Sequence, residues 1–363
     1  MGVWAALFLA ATVSGASAAS LAMDPRVALR PAPVRNRKPP RPAKAADPRE
    51  ILGPLPIRNL QPLHLLFFEF IPERAYTLPK GRLQVQLDIT ETNTLLDDLE
   101  KEPSFKADIE MTRFLWRFQY GLTDKLTLAL NAPLVFTHGP FLDAFIDGVE
   151  RAVDRLRGDR GKETADQVQV SLVSGGITEI SLTDGGVGVG DVSLEGKYQF
   201  LRETFWIPAA SVRFAVKFPT GDFENLRGSE EFDGAVGLAV QKIWGLWSAS
   251  VGGGATFPGN PFRSGALDPD PILYGHFSLE RLITRRWSAV AQLKWTGGLM
   301  DLSREPRVRP LTDRSVEVHL GGKWAFAEGW LTQFGVVQDI SDSAAVDADF
   351  TLFITVGARF DTK

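Results

Sequence analysis

From residue 81 to the C-terminus the chain alternates apolar and polar residues with period two, segment after segment. "RLQVQLDIT" sets Leu83, Val85, Leu87 and Ile89 against Arg82, Gln84, Gln86 and Asp88. "ASVRFAVKF" sets Val212, Phe214, Val216 and Phe218 against Ser211, Arg213, Ala215 and Lys217. "SVEVHLGGKWAF" and "DFTLFITVGARF" repeat the pattern. Successive side chains of a strand point to opposite faces, so each run reads as a strand with one apolar and one polar face. Twelve strands are expected, at 82–93, 105–120, 125–134, 190–201, 207–219, 232–242, 247–257, 272–282, 287–296, 314–326, 330–339 and 349–360. Most exceed the roughly 5–6 residues typical of soluble sheets and match the length needed to cross a bilayer at a tilt.

The connections sharpen this. Short turns ("GLTD", "RETF", "IWGL", "LITRR", "AEG") are expected to alternate with longer polar loops, including one between the first two strands. An outer-membrane barrel has this asymmetry, with short turns in the periplasm and long loops outside. Trp206, Trp244, Trp247, Trp287, Trp324 and Trp330 flank the short turns, with Tyr120 and Phe200 beside them. Amphipathic rings favour the headgroup level, so these read as a periplasmic girdle, with Trp295 belonging to the outer one. The fold class expected is all-β: a transmembrane antiparallel barrel of about 12 strands spanning 81–360. A soluble exported β-sandwich also alternates, but needs neither the girdle nor the loop asymmetry.

The long connection 135–189 carries two further features. Residues 166–183 read as a hairpin within it, outside the wall. Residues 140–156, "PFLDAFIDGVERAVDRL", read as an amphipathic helix with Phe141, Leu142, Phe145, Ile146 and Val149 on its apolar stripe, a lid candidate over the barrel mouth.

Upstream of the strands, residues 1–19 read as a signal peptide ending near Ala16-Ser17-Ala18. Residues 20–51 read as a disordered periplasmic arm rich in Pro, Ala and Arg. Over 1–50 there are 8 Lys or Arg against 3 acidic residues, a charge of +5; the whole-chain −4 then leaves −9 for 51–363. Nucleic acid is not expected as a partner of an exported chain with an acidic folded part. Residues 52–80 are expected to lead into the barrel. The absence of Cys excludes disulfides, thiolate metal sites and a Cys nucleophile, and the 4 His residues are too scattered for a zinc site.

"GPLPIRN" (53–59), "PLHLLFF" (62–68), "YGLTDKL", "PFLDAFIDG", "GVGDVSLEGKY" and "FPTGD" together resemble a bacterial outer-membrane family, the domain-of-unknown-function family 3187, over roughly residues 52–360. "GLTD" and "PTGD" are common to many barrels; "GPLPIRN" with "FLDAFIDG" is more specific. The resemblance implies an outer-membrane location but no established activity, so it carries over no catalytic residue. The chain departs from the usual aromatic barrel terminus, because Asp361, Thr362 and Lys363 follow Phe360.

The polar face gathers the candidate site. Its cations are Arg82, Lys197, Arg213, Lys217, Lys294, Lys323 and Arg359; its acids are Asp88, Glu195, Glu280, Glu317 and Asp339, with His276 and His319 among them. Charges at mid-depth are costly on a lipid face, so these are expected inside the lumen. They either form a network that keeps a narrow barrel round or line a polar pathway. His276 and His319 are expected to make lumen hydrogen bonds; His138, in the loop after the third strand, has no Ser at a suggestive spacing, and Gly-x-Ser-x-Gly is absent from "VSGGI". Asp222, Glu224, Glu230, Glu231 and Asp233 are among the acids expected on solvated outer loops. The functional expectation is a passive channel or binding protein for a small solute, without cofactor, metal or covalent chemistry. The alternatives are a structural barrel with a plugged lumen and, more weakly, a lipid-modifying enzyme. Expected partners are outer-membrane lipid and lipopolysaccharide, the barrel-assembly machinery and a small-molecule solute.

Overall fold

The computed structural model describes residues 51–98, 103–139, 168–300, 309–312, 314–341 and 350–361. Fifteen strands form one antiparallel sheet: β1 (Arg82–Asp98), β2 (Ser104–Thr123), β3 (Leu126–His138), β4 (Gln169–Ser174), β5 (Ile177–Leu182), β6 (Gly186–Val189), β7 (Ser193–Leu201), β8 (Ala209–Lys217), β9 (Asp233–Trp244), β10 (Trp247–Phe257), β11 (Ile272–Leu282), β12 (Trp287–Thr296), β13 (Ser315–Ala327), β14 (Trp330–Asp339) and β15 (Phe350–Asp361). β1 pairs with both β2 and β15, from Arg82↔Asp361 to Asn93↔Phe350 on the closing seam, so the sheet has no free edge around its girth. Setting aside β4, β5 and β6, twelve strands make the closed wall. Closure satisfies the backbone of every wall strand within the sheet, which a lipid environment demands.

The three extra strands extend the wall at its long-loop end. β4 and β5 form the hairpin expected at 166–183, and β4 pairs with the upper part of β2. β6 continues the line of β7 along β3. The break between them lies beside Pro133, whose missing N–H interrupts the ladder, and Gly190 N donates to Pro133 O at 2.9 Å. One expectation is corrected. β1 runs to Asp98 and β2 starts at Ser104, so the first two strands share an extended hairpin where a long polar loop was expected. The pairing of β2 with β4 supports that extension from the other side. The helix expected at 140–156, with Phe141, Leu142, Phe145, Ile146 and Val149, lies outside the described residues.

The outer surface is an apolar belt of exposed side chains such as Leu130, Phe214, Leu238, Phe277 and Leu320. At the short-turn end four aromatics form a continuous run. Trp287 stacks on Trp324 with centroids 5.2 Å apart, Trp324 meets Phe326 at 5.6 Å, and Phe326 meets Trp330 at 5.8 Å. A closed sheet with an apolar outside and a polar inside inverts the soluble arrangement, and lipid is the solvent it fits.

The phase of β8 is as expected: Phe214 is 48% exposed and Ala215 is 6% exposed. Phe214→Arg should therefore cost about 2–4 kcal/mol near mid-depth, lowering the temperature at which the unboiled protein loses its fast gel mobility. The sequence alone predicts that Ala215→Arg costs much less. The structure narrows that difference, because Ala215 packs into a filled interior beside Ala235 and Phe67. Overpacking there should cost about 1–3 kcal/mol. A variant with Arg at 215 as stable as the parent would show that the interior is not packed at this level.

Candidate functional site

The lumen is filled by the chain's own N-terminal segment. Residues 51–78, expected only to lead into the barrel, run up the inside from the short-turn end, reverse near the top, and descend to start β1. Leu52, Leu55, Leu63, Leu66 and Phe67 are all fully buried there. Pro54, Pro56, Pro62 and Pro72 suit such a path, because each fixes an extended or turn backbone and carries no N–H that needs a partner. At the reversal a single helical turn, α1 (Pro62–Leu65), is capped by Gln61, whose side chain accepts from His64 N at 3.2 Å. Arg58 donates to His64 O at 2.6 Å and Phe67 O at 2.8 Å, closing the loop from below.

With little regular structure of its own, the plug satisfies its backbone on wall side chains. On the ascending limb, Leu55 N donates to Gln292 Oε1 (3.0 Å), whose Nε2 donates back to Leu55 O (3.3 Å). Gly53 donates to Glu280, and Lys323 donates to Gly53 O. At the apex, Phe68 N donates to Asp233 Oδ2 (2.7 Å), Thr256 Oγ1 to Phe68 O (2.9 Å) and Lys217 Nζ to Leu66 O (2.6 Å). On the descending limb, Arg213 donates to Ile71 O (2.8 Å), Lys197 to Arg74 O (3.0 Å), and Leu78 N to Thr127 Oγ1 (2.8 Å).

Charge locks the same segment. Glu73 stands among three wall cations, at 3.2 Å from Arg117, 3.2 Å from Lys197 and 3.1 Å from Arg213. Arg117 and Arg213 also share Glu195, at 3.1 and 2.8 Å. Burial pushes the Glu73 carboxyl up, but the three cations outweigh it and hold the group well below the usual carboxylate range. Glu69 pairs with Lys294 at 3.0 Å, and Lys294 reaches Glu317 at 3.3 Å. Burial holds His64, on α1, down at about 3, so it stays neutral at physiological pH.

An apolar cap closes the long-loop end. Leu63, Leu66, Phe67, Phe68 and Phe70 of the plug pack with Phe105, Met111, Leu172, Phe223 and Phe262 of the strand extensions and loops. Phe70 lies under the guanidinium of Arg213, 4.3 Å from its ring centroid. It comes so close to the wall that a Cβ at Gly237 would stand 2.9 Å from its ring, which is why that inward position carries glycine. At the other end a cavity of about 250 Å3 opens between plug and wall, lined by Pro54, Pro72, Arg82, Gln84, Lys197 and Arg359 among others.

The lumen candidates all lie on the inward face, and the structure sorts them. Glu195, Lys197, Arg213, Lys217, Lys294, Glu280 and Lys323 touch the plug or the groups that hold it. Lys217 lies 2.9 Å from Asp191 and 3.0 Å from Asp233. Glu317 and His319 pair with each other at 3.3 Å, and His319 Nδ1 meets Gln292 at 3.0 Å. Asp88 accepts from Gln86, and Arg359 donates to Gln84 at 2.7 Å. His276 faces inward over Gly252. Arg82 is drawn to the rim, where it pairs with the exposed Asp361 at 2.9 Å. Asp233, expected on a solvated loop, is corrected: it begins β9 and is buried between Lys217 and the Phe68 amide.

Sequence reasoning missed Glu69 and Glu73, which sit outside any alternating strand. It also missed Arg113 and Arg117, although "TRFLWRFQY" alternates them with Phe114, Trp116 and Phe118, and the period-two rule would have placed them inside.

The class defined by this geometry is a plugged twelve-stranded barrel of the outer-membrane type. Its sequence matches the family model described as "Protein of unknown function (DUF3187)" over residues 43–360, and the chain belongs to that family. No curated protein matches it by sequence. Among solved structures it is similar to an outer-membrane channel from Pseudomonas putida F1, at 16% identity and a TM-score of 0.55, covering 80% of this chain and 100% of that one. Looser likenesses are the toluene transporter TodX of P. putida (12% identity, 79% of this chain, 92% of that one, TM-score 0.38) and the KdgM porin (8%, 76%, 98%, 0.37). At these identities the likeness is one of fold.

Proposed function

We propose that this protein is a passive outer-membrane channel for a small solute, held shut at rest by residues 51–78 and opened when that plug shifts. One observation carries the reading: the plug is attached through ion pairs and side-chain hydrogen bonds to a polar wall, centred on Glu73 among Arg117, Lys197 and Arg213. Such contacts exchange readily for water, so a displaced plug leaves a lumen already lined by hydratable groups. Both limbs of the plug meet the short-turn end, and withdrawal toward the periplasm needs no threading through the wall. Covalent chemistry is not part of this reading. Export through the signal segment 1–19, contact with lipopolysaccharide and delivery by the barrel-assembly machinery belong to the same proposal.

The second reading is a structural barrel whose plug never moves, and the tight apolar cap around Phe67 and Phe68 favours it. The Cys-free chain allows a clean test. Ala75 of the plug packs with Ala209 and Ala239 of the wall, all fully buried. In an Ala75→Cys/Ala239→Cys variant, oxidation to the disulfide should abolish solute flux into proteoliposomes, and reduction should restore it. Equal flux in both states would refute gating by the plug. No flux in either state, with the barrel intact on unboiled gels, would establish the structural reading.

A further inference from the structure

Three guanidinium groups meet beside the plug with no carboxylate at ion-pair distance among the described residues. Arg58 comes from the plug, Arg113 from β2 and Arg227 from the connection between β8 and β9, and all three line one cavity of about 40 Å3. Strand register brings the latter two together. Arg113 lies opposite Val135 on β3, and Val135 lies opposite Gly188 on β6. The Arg227 side chain crosses Gly188, where a Cβ would stand 2.7 Å from its guanidinium nitrogen. Arg58 is only 8% exposed, and its Nε, like that of Arg227, has no hydrogen-bond partner. Asn131, which also lines the cavity, presents a buried Oδ1 without a donor.

The acids in the cavity wall are committed elsewhere. Glu69 pairs with Lys294, Asp191 with Lys217, and Glu195 with Arg117 and Arg213. Lys217, the remaining cation of the lining, is held between Asp191 and Asp233. A guanidinium does not deprotonate in a protein, and a buried charge without a counter-ion is strongly unfavourable. Glu69 and Asp88 act on Arg58 and Arg113 only from beyond ion-pair distance, which leaves room for a counter-ion in direct contact.

We propose that this cavity is a binding site for one small anion, bridging Arg58 of the plug to Arg113 and Arg227 of the barrel. The volume accommodates about 2–3 waters' worth of matter, which suits a halide or a compact oxyanion such as formate beside a water on Asn131 Oδ1. The flat N–H forks of arginine favour an oxyanion, whereas cavity size favours a monatomic ion. In either form the anion fastens the plug's apex to the wall. The site stands whether or not the lumen conducts, because it is defined in the closed state.

The test uses the full chain in detergent at constant ionic strength, with gluconate, too large for the cavity, as the reference anion. Chloride, formate and phosphate are each exchanged for gluconate while the heat-shift midpoint is followed. A saturable rise with chloride or formate is expected, with phosphate weaker; their order separates halide from oxyanion. Arg113→Gln and Arg227→Gln should each weaken the effect at least tenfold. In pure gluconate each variant should melt at or above the parent temperature, because a mutual repulsion has been removed. Equal midpoints in all four anions, or a saturable rise unchanged in both variants, would overturn the proposal. If a variant fails to fold, bromide located by anomalous scattering in crystals of the parent decides the matter: density among the three guanidinium groups supports the site, and none there at saturating bromide overturns it.

Discussion

Glu73→Gln should release the plug and turn a closed barrel into a leaky one. The buried cluster holds three cations, Arg117, Lys197 and Arg213, against two carboxylates, Glu73 and Glu195, a balance of +1; the substitution makes it +2. Removing one partner of a buried charge network leaves the others desolvated and unpaired, which costs about 3–5 kcal/mol. At roughly 1.4 kcal/mol per factor of ten, the ratio of docked to released plug should fall by about two to three and a half orders of magnitude. The barrel wall does not depend on Glu73, so the heat-shift should persist while flux into proteoliposomes and proteolysis of residues 51–78 increase. Glu224→Gln, which removes an exposed pair with Arg263 on the outer loops, should change flux far less.

The same carboxylate sets a pH dependence. Its pKa is depressed in the docked state, so its contribution is complete above the ordinary value of 4.5 and is lost as pH falls toward the lower docked value. Closure should therefore be flat from neutral pH to about 4.5 and weaken only below it. Flux that rises already between pH 7 and 5 would point to a different latch.

Lys217→Ala should be the most damaging single change at the apex. The ammonium lies 2.9 Å from Asp191 and 3.0 Å from Asp233, and donates to Leu66 O of the plug at 2.6 Å. Asp191 also fastens the loop after β8, accepting from the backbone of Thr220, Gly221 and Ser229. Without Lys217 two buried carboxylates face each other with no cation between them. A loss of about 3–5 kcal/mol is expected, seen as a lower heat-shift midpoint together with plug release. Lys217→Ala/Asp233→Asn should recover part of that loss, because it removes one of the stranded charges. A double variant no better than the single one would show that Lys217 acts by packing against Phe67, 5.8 Å from its ring centroid, and not by charge.

The wall was legible in the sequence because its cause is local. Alternation at Leu83–Ile89 or Val212–Phe218 follows from strand geometry and from the contrast between lipid and lumen, both of which act residue by residue. Trp287 and Trp324 could be assigned to one girdle for the same reason, since interface preference belongs to the ring itself. The inward phase of Glu195, Lys197, Arg213 and Lys217 followed from that alternation alone. What fills the lumen was not legible. Residues 51–78 have no period, because outside the turn at 61–67 much of their backbone is satisfied by wall side chains from Thr127 to Lys323. The partnership of Glu73 with Arg117, Lys197 and Arg213 spans 44 to 140 positions of sequence and exists only after the barrel has closed. Asp233 reads as a loop acid until the plug's apex and Lys217 arrive beside it. The sequence by itself determined a closed strand wall, its two ends and the sign of each face. Only the tertiary structure decided that the wall is shut by its own N-terminal segment, because a charge buried in a lumen takes its partner from whatever is threaded through that lumen.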